Sequence, residues 1–281
     1  IHVWRFALDG DLYPKRFLGL LNLALRRRHK FPRAIAERLV AKLLEEEADA
    51  VLFSGDLTST AASSEFVAAR ELLLPVAEKW GERFLAIPGN HDRYTPRAVA
   101  ERKFERLFLE REQTYPFVQR LSDTLSVVGI DLSVPRLLTS RGLIGDEQLG
   151  RLRDILRTEE EQGRGVIVLG HYPLIIRYPG GGSASWEHRM TGWHKLREVV
   201  DRPPVIAYLH GHRHQRWVMS QSHCLEIDAG SAGRAGKLEG WQAGYLRLDF
   251  ERQSLQQAVA VCLQPGAYEQ WAEKTMYPAS D

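Results

Sequence analysis

At 281 residues, with 44% hydrophobic and 26% charged residues, the chain has the size and balance of an ordinary globular α/β protein, which excludes a disordered or fibrous one. A net charge of +2 argues against nucleic acid as the partner, and two distant cysteines, Cys224 and Cys262, exclude a disulfide framework and a paired-cysteine metal site. No run reaches membrane-spanning length and the start lacks the order of a signal peptide, so the expected compartment is the reducing cytoplasm.

Ile1-His2-Val3-Trp4 opens the chain ahead of a polar turn at Asp9-Gly10-Asp11. From there Phe17, Leu20, Leu21, Ala24 and Leu25 recur at helical spacing, and no acid interrupts the basic residues between Asp11 and Glu37. The pattern predicts a basic amphipathic helix over about 15–30. It has two readings: a helix lying on an anionic membrane face, or a core-packed helix with a solvated basic end. A second helix is expected from Pro32 to about Glu47, and a strand from Ala50 to Phe53 that ends in Ser54-Gly55-Asp56. Next come a helix over Ser63 to Lys79 and the apolar run Phe84 to Ile87, which breaks at Pro88-Gly89-Asn90-His91-Asp92. Helices at Pro96 to Leu109, Asp146 to Leu156 and Trp193 to Val200 alternate with strands at Leu125 to Ile130, Val166 to Leu169 and Val205 to Leu209. That alternation predicts parallel βαβ units. Runs at Gln215 to Ser220, Cys224 to Asp228, Tyr245 to Phe250 and Gln256 to Cys262 read as a late antiparallel set.

Strand after strand ends in a turn carrying a potential metal ligand: Asp56, Asn90, His171, and the pair His212 and His214. Carboxyl ends of parallel strands converge, so residues distant in sequence meet there. A donor set that mixes imidazole, carboxylate and amide oxygen suits Mn, Fe or Zn better than Mg or Ca.

Gly55-Asp56, Gly89-Asn90-His91-Asp92, Gly170-His171 and Gly211-His212-Arg213-His214 together resemble the ordered signature of the calcineurin-like metallophosphoesterases. The resemblance spans nearly the whole chain and implies one domain over 1–281, a four-layer α/β/β/α sandwich of mixed sheets. The family pattern begins with Asp-x-His at the end of a first strand. Here His2 takes the His position, so the chain is expected to start inside that motif, with the first strand missing. The resemblance further implies two divalent metal ions, Mn foremost with Fe or Zn as alternatives. His2, His214 and the upstream Asp would hold one ion, Asn90, His171 and His212 the other, and Asp56 would bridge them. His91 would contact the phosphoryl oxygen or protonate the leaving group, with Asp92 orienting its ring. Asp228-Ala229-Gly230-Ser231-Ala232-Gly233 resembles the family's later glycine-serine turn, with a structural role.

Two features bear on the substrate. The basic helix suggests an anionic membrane surface, and the insertion over about 172–194, with Ile175, Ile176, Tyr178, Trp186 and Trp193, could form an apolar lid. Together they resemble the UDP-2,3-diacylglucosamine pyrophosphatases of bacterial lipid A synthesis, cytoplasmic enzymes peripheral to the inner membrane. Alternatives are a soluble cyclic-nucleotide phosphodiesterase, a protein phosphatase, or a non-catalytic scaffold of the same fold. Phosphorylated small-molecule or lipid-linked partners are expected, and no nucleic acid.

Overall fold

The computed structural model of the protein describes residues 1–7, 9–11, 13–175, 188–236, 240–264 and 270–278. Short apolar runs form two strands that pair in parallel, β1 (Val51–Phe53) and β2 (Phe84–Ala86). A six-stranded sheet has the order β3-β4-β5-β6-β8-β7. Its strands are β3 (Phe117–Arg120), β4 (Leu125–Gly129), β5 (Gly165–Leu169), β6 (Val205–His210), β7 (Arg216–Ser220) and β8 (Leu225–Ala229). The inner pairings β4 to β5, β5 to β6 and β6 to β8 are parallel, while β3 and β7 flank them antiparallel. The antiparallel order β11-β10-β9 completes the architecture, with β9 (Gly244–Glu251), β10 (Ser254–Leu263) and β11 (Trp271–Tyr277).

Successive strand side chains point to opposite faces, and the core divides accordingly. In β5, Ile167 and Leu169 join Leu85, Ile87, Val127, Leu209 and Ala258 in a layer between sheets. Val166 and Val168 turn the other way, onto Leu149, Leu152 and Leu156 of the helix Asp146–Glu161 and onto Leu196 and Val200 of the helix Trp193–Val200. The helices Arg33–Leu44 and Ser63–Trp80 cover β1 and β2 through Leu39, Phe66, Leu73 and Val76. Helix, sheet, sheet and helix thus stack in the expected four layers. The other edge of β1 faces a cavity of about 550 Å³, lined among others by Leu52, Phe53, Tyr245 and Leu248.

Several expectations are corrected. Strands β3 and β11 were not anticipated, because edge strands with one wet face carry too many polar residues to read as apolar runs. The helix expected over Pro96 to Leu109 divides into Pro96–Ala100 and a π-helical turn, Phe104–Leu109, around Arg102 at φ 50°. The basic helix begins at Pro14 and passes through a π-helical turn, Leu23–Arg27, before ending at Lys30. Its inward face is not the apolar one: Arg16, Gly19 and Leu23 are buried, while Phe17, Leu18, Leu21 and Leu25 are 48%, 60%, 58% and 67% exposed.

Candidate metal centre

Turns at the carboxyl ends of β1, β2, β5 and β6 deliver Asp56, Asn90, His171, His212 and His214 to one place. The start of the chain lies alongside. The His2 amide donates to Asp56 O at 3.0 Å, and Val3 bridges in parallel to Thr58. His2, Asp56, His212 and His214 all have left-handed backbones, with φ of 56°, 61°, 67° and 59°. Such conformations cost about 1–3 kcal/mol each in non-glycine residues and persist where surroundings over-determine them. Here they aim four donor side chains inward. Close approach of the β1 and β2 turns depends on Gly89, because a Cβ there would collide with the Asp56 amide nitrogen and carboxylate.

Two donor groups share Asp56: His2, Asp56 and His214, and Asp56, His171 and His212, with ligand atoms in each group within 4.8 Å of one another. The His171 Nδ1–H faces Ser54 O at 2.7 Å, which leaves its Nε2 as a bare lone pair. That lone pair lies 3.2 Å from Asn90 Oδ1 and 3.5 Å from Asp56 Oδ1. Likewise His2 Nδ1 faces Thr58 O at 3.3 Å, and its Nε2 lies 3.0 Å from His214 Nε2 and 3.6 Å from Asp56 Oδ2. His212 Nδ1 is 2.9 Å from Asn90 Oδ1. Lone pairs aimed at lone pairs repel unless a cation lies among them, so this set fits divalent metal ions on both sides of Asp56. Burial holds the pKa values of His2, His212 and His214 well below the usual imidazole range, with neighbouring cations and imidazoles adding to it. Neutral imidazole is the ligating form.

His91 stands beside these donors. Its amide donates to Asp56 Oδ1 at 2.9 Å, and its Nδ1–H points at Ser59 O, 2.7 Å away. Nε2 therefore accepts, and its partner is Arg27 Nη2 at 2.8 Å, with Nη1 3.0 Å from Nδ1. Burial, then the Arg27 charge, keeps the His91 pKa well below its ordinary value. The expected task of Asp92 is corrected. Its carboxylate does not touch the His91 ring; it accepts from the amides of Leu57, Thr58 and Gly89 and from the Thr58 hydroxyl. A buried carboxylate surrounded by turn amides is taken up by them, so Asp92 pins the two turns together.

Arg27, Lys15 and Tyr94 were not foreseen as site residues. Tyr94 stacks on His91 with ring centroids 5.5 Å apart, and Lys15 Nζ lies 4.5 Å from the Tyr94 centroid. The helix carrying Lys15 and Arg27 reaches this place because residue 19 is glycine; a Cβ would stand 2.8 Å from Tyr94 Oη and 3.2 Å from Thr60 Cγ2. A signal existed in the spacing 16, 19, 23, 27, which puts Arg27 on the Leu23 side of the helix. His210, in the same run as His212, turns away from the donors. Its Nε2 is 3.3 Å from Glu226 Oε1 and its Nδ1 3.6 Å from Asp228 Oδ2. Glu226 in turn accepts from the amides of Leu174 and Ile175, which anchors the segment after His171. Of the expected lid, Ile175 packs on Trp217 and Trp193 begins a helix, whereas Ile176, Tyr178 and Trp186 lie outside the described residues.

The calcineurin-like phosphoesterase family model matches residues 5–216. The chain is 22% identical over 182 residues, 64% of its own length and 68% of the relative's, to a probable cyclic nucleotide phosphodiesterase of Ruthia magnifica subsp. Calyptogena magnifica. Among solved structures it resembles a dimetal phosphatase from Danio rerio, with a TM-score of 0.58 at 14% identity over 88% of this chain and 90% of that one. It also resembles GAP50, described as the anchor in the inner membrane complex of Plasmodium, with a TM-score of 0.55 at 13% identity over 86% and 84%. These likenesses agree in fold, and the match over residues 5–216 establishes that the chain belongs to the calcineurin-like phosphoesterase family and is a hydrolase.

Proposed function

We propose that this hydrolase uses two divalent metal ions to cleave a phosphodiester or pyrophosphate bond in a lipid-linked substrate at an anionic membrane surface, with UDP-2,3-diacylglucosamine as the leading candidate. The observation that carries the metal-dependent reading is the convergence of imidazole and amide lone pairs on both sides of Asp56. His2, His214 and the Asp that the family pattern places before His2 would hold one ion, Asn90, His171 and His212 the other, and Asp56 would bridge them, with Mn favoured by the donor set and Fe or Zn as alternatives. Bound there, such ions supply Lewis-acid polarisation of a phosphoryl group and a water acidified into a nucleophile. His91 holds its ring on Ser59 O and presents Nε2 beside Arg27. From there the ring is placed to contact a phosphoryl oxygen or to protonate the leaving oxygen.

The lipid reading rests on the helix over the site. Its outward stripe of Phe17, Leu18, Leu21 and Leu25 is flanked by exposed Arg26, Arg28 and Lys30. Lys15 Nζ bonds Thr139 O in a loop whose Leu137 and Leu138 are also exposed. An apolar stripe beside basic side chains suits the headgroup boundary of an anionic bilayer. A second reading, a soluble cyclic-nucleotide phosphodiesterase, is favoured by the Ruthia magnifica relative. Turnover by the Mn-loaded protein of UDP-2,3-diacylglucosamine in mixed micelles, against cyclic AMP in solution, separates them. Turnover of cyclic AMP alone would overturn the lipid reading, and no turnover of these or of bis-p-nitrophenyl phosphate would overturn both.

A further inference from the structure

Buried cations in this protein usually have carboxylates beside them. Arg16, fully buried on the helix over the site, lies 3.3 Å from Asp9 and 3.5 Å from Asp11, and Arg93 contacts Glu105 and Asp131. Arg27 and Lys15, half-buried on the same helix as Arg16, do not follow this pattern. Among the described residues neither has a carboxylate within ion-pair distance. Arg27 touches the His91 ring and lies 5.9 Å from the Phe31 centroid; Lys15 touches Thr139 O and the Tyr94 ring. A partly desolvated cation without a neighbouring carboxylate has lost part of its hydration, and a charge-assisted contact to an arriving anion replaces it.

The two cations converge although they start far apart. Twelve residues of straight helix span about 18 Å, yet both long side chains lean onto one stack, Lys15 on Tyr94 and Arg27 on His91. Charge counting gives the same direction. Even counting the Asp that the family pattern places before His2 together with Asp56, two divalent ions edged by Arg27 and Lys15 leave the site positive. A phosphodiester brings one negative charge, a diphosphate diester two.

Resting on the metal-dependent hydrolase reading above, we infer that Lys15 and Arg27 form a second anion subsite, which holds the phosphate next to the one attacked and selects diphosphate substrates over isolated phosphodiesters. The helix thereby supplies specificity from its inner face, whatever its outer face meets.

The test is titration calorimetry of the Mn-loaded protein with UMP and UDP at a fixed free-metal concentration, with bound metal measured in every variant. The wild type is expected to bind UDP at least about tenfold tighter than UMP, as a charge-assisted contact to one added phosphate would give. Arg27→Gln and Lys15→Met should each cut that ratio to about threefold or less with metal content unchanged. A ratio kept in both variants, or UMP and UDP weakened in equal proportion, overturns the subsite. Should Arg27→Gln not fold, Lys15→Met decides by itself. Failure of the wild type to hydrolyse bis-p-nitrophenyl phosphate would sink the hydrolase reading and this inference with it, whereas turnover with an unchanged ratio overturns the subsite alone.

Discussion

The Asp92 carboxylate accepts from both the amide and the hydroxyl of Thr58, each at 2.9 Å, so the residue after His91 ties the β2 turn to the β1 turn. Further bonds from the amides of Leu57 and Gly89 complete a buried clasp directly behind Asp56 and Asn90. Asp92→Asn replaces one acceptor oxygen by a donor facing amide hydrogens, which should cost about 1–3 kcal/mol of stability. Because the clasp positions both turns, metal affinity should fall as well. Chemical denaturation with metal analysis checks this, and a variant of full stability and normal metal content would remove the clasp from the account.

Asp56 and His91 should fail differently. Asp56 belongs to both donor groups, so Asp56→Ala is expected to empty both metal positions, while His171→Ala should lose one equivalent. His91 contacts Ser59, Arg27 and the Asp56 carboxylate through its amide, and its ring belongs to neither donor group. His91→Ala should therefore keep both metals and lower kcat by about 10²–10⁴-fold. Elemental analysis beside turnover of bis-p-nitrophenyl phosphate separates the cases. Loss of metal from His91→Ala would show the ring to be a ligand.

The Lys15 ammonium is held down to about 8 by burial, with the Arg27 charge adding to the effect and the Asp56 carboxylate opposing it. The sign follows directly: below about pH 8 the side chain carries the charge that attracts a phosphate, and above it the charge is lost. UDP affinity should decline as pH rises through this window, by at most about tenfold per pH unit, while UMP affinity declines less. Tyr94, the aromatic neighbour of Lys15, has its own pKa raised by burial and stays neutral there. Lys15→Met should flatten the difference between the two ligands, and a UDP-specific limb that survives in this variant would assign it to another group.

Much of this site was legible because its donors sit where apolar runs stop. Asp56, Asn90, His171, His212 and His214 each follow a short apolar strand and a glycine, and parallel strands bring such ends together whatever the loops between them do. His2 was placed by resemblance, and the backbone bond from its amide to Asp56 O gives the physical reason. What could not be read were relations through space between separate elements. The carboxylate nearest His91 in sequence was expected to orient its ring, yet the turn amides claim Asp92, and Arg27, 64 residues away, takes His91 Nε2. The basic helix stayed ambiguous for a related reason. Its apolar stripe fitted a membrane face and a packed core equally, and the close approach at Gly19 decides the packing: Arg16 and Leu23 lie inside, with Arg27 half-buried beside them. Edge strands β3 and β11 stayed hidden because half their residues face water.

That same inversion of the helix makes the membrane proposal testable without disturbing the site. Leu21 and Leu25 are 58% and 67% exposed, so Leu21→Glu and Leu25→Glu should change stability by no more than about 0.5 kcal/mol. If the stripe sinks beneath headgroups, either change should sharply reduce flotation with anionic vesicles, because a carboxylate would then enter the acyl boundary. Replacing exposed Arg26, Arg28 and Lys30 by Glu should weaken the electrostatic part by about 1 kcal/mol per lost charge near the surface. Arg27 is left out of that set because it bonds His91, so its loss would mix docking with chemistry. Leu23→Glu serves as the contrast, since Leu23 is fully buried and its change should unfold the helix from the body. The expected pattern is normal turnover of a soluble chromogenic diester by the Leu21 and Leu25 variants, together with reduced turnover of a diacylated nucleotide-sugar in mixed micelles. Wild-type protein that fails to float with anionic vesicles at moderate salt would remove the membrane from the proposal, and the diphosphate subsite formed by Lys15 and Arg27 would then point to a soluble diphosphate diester.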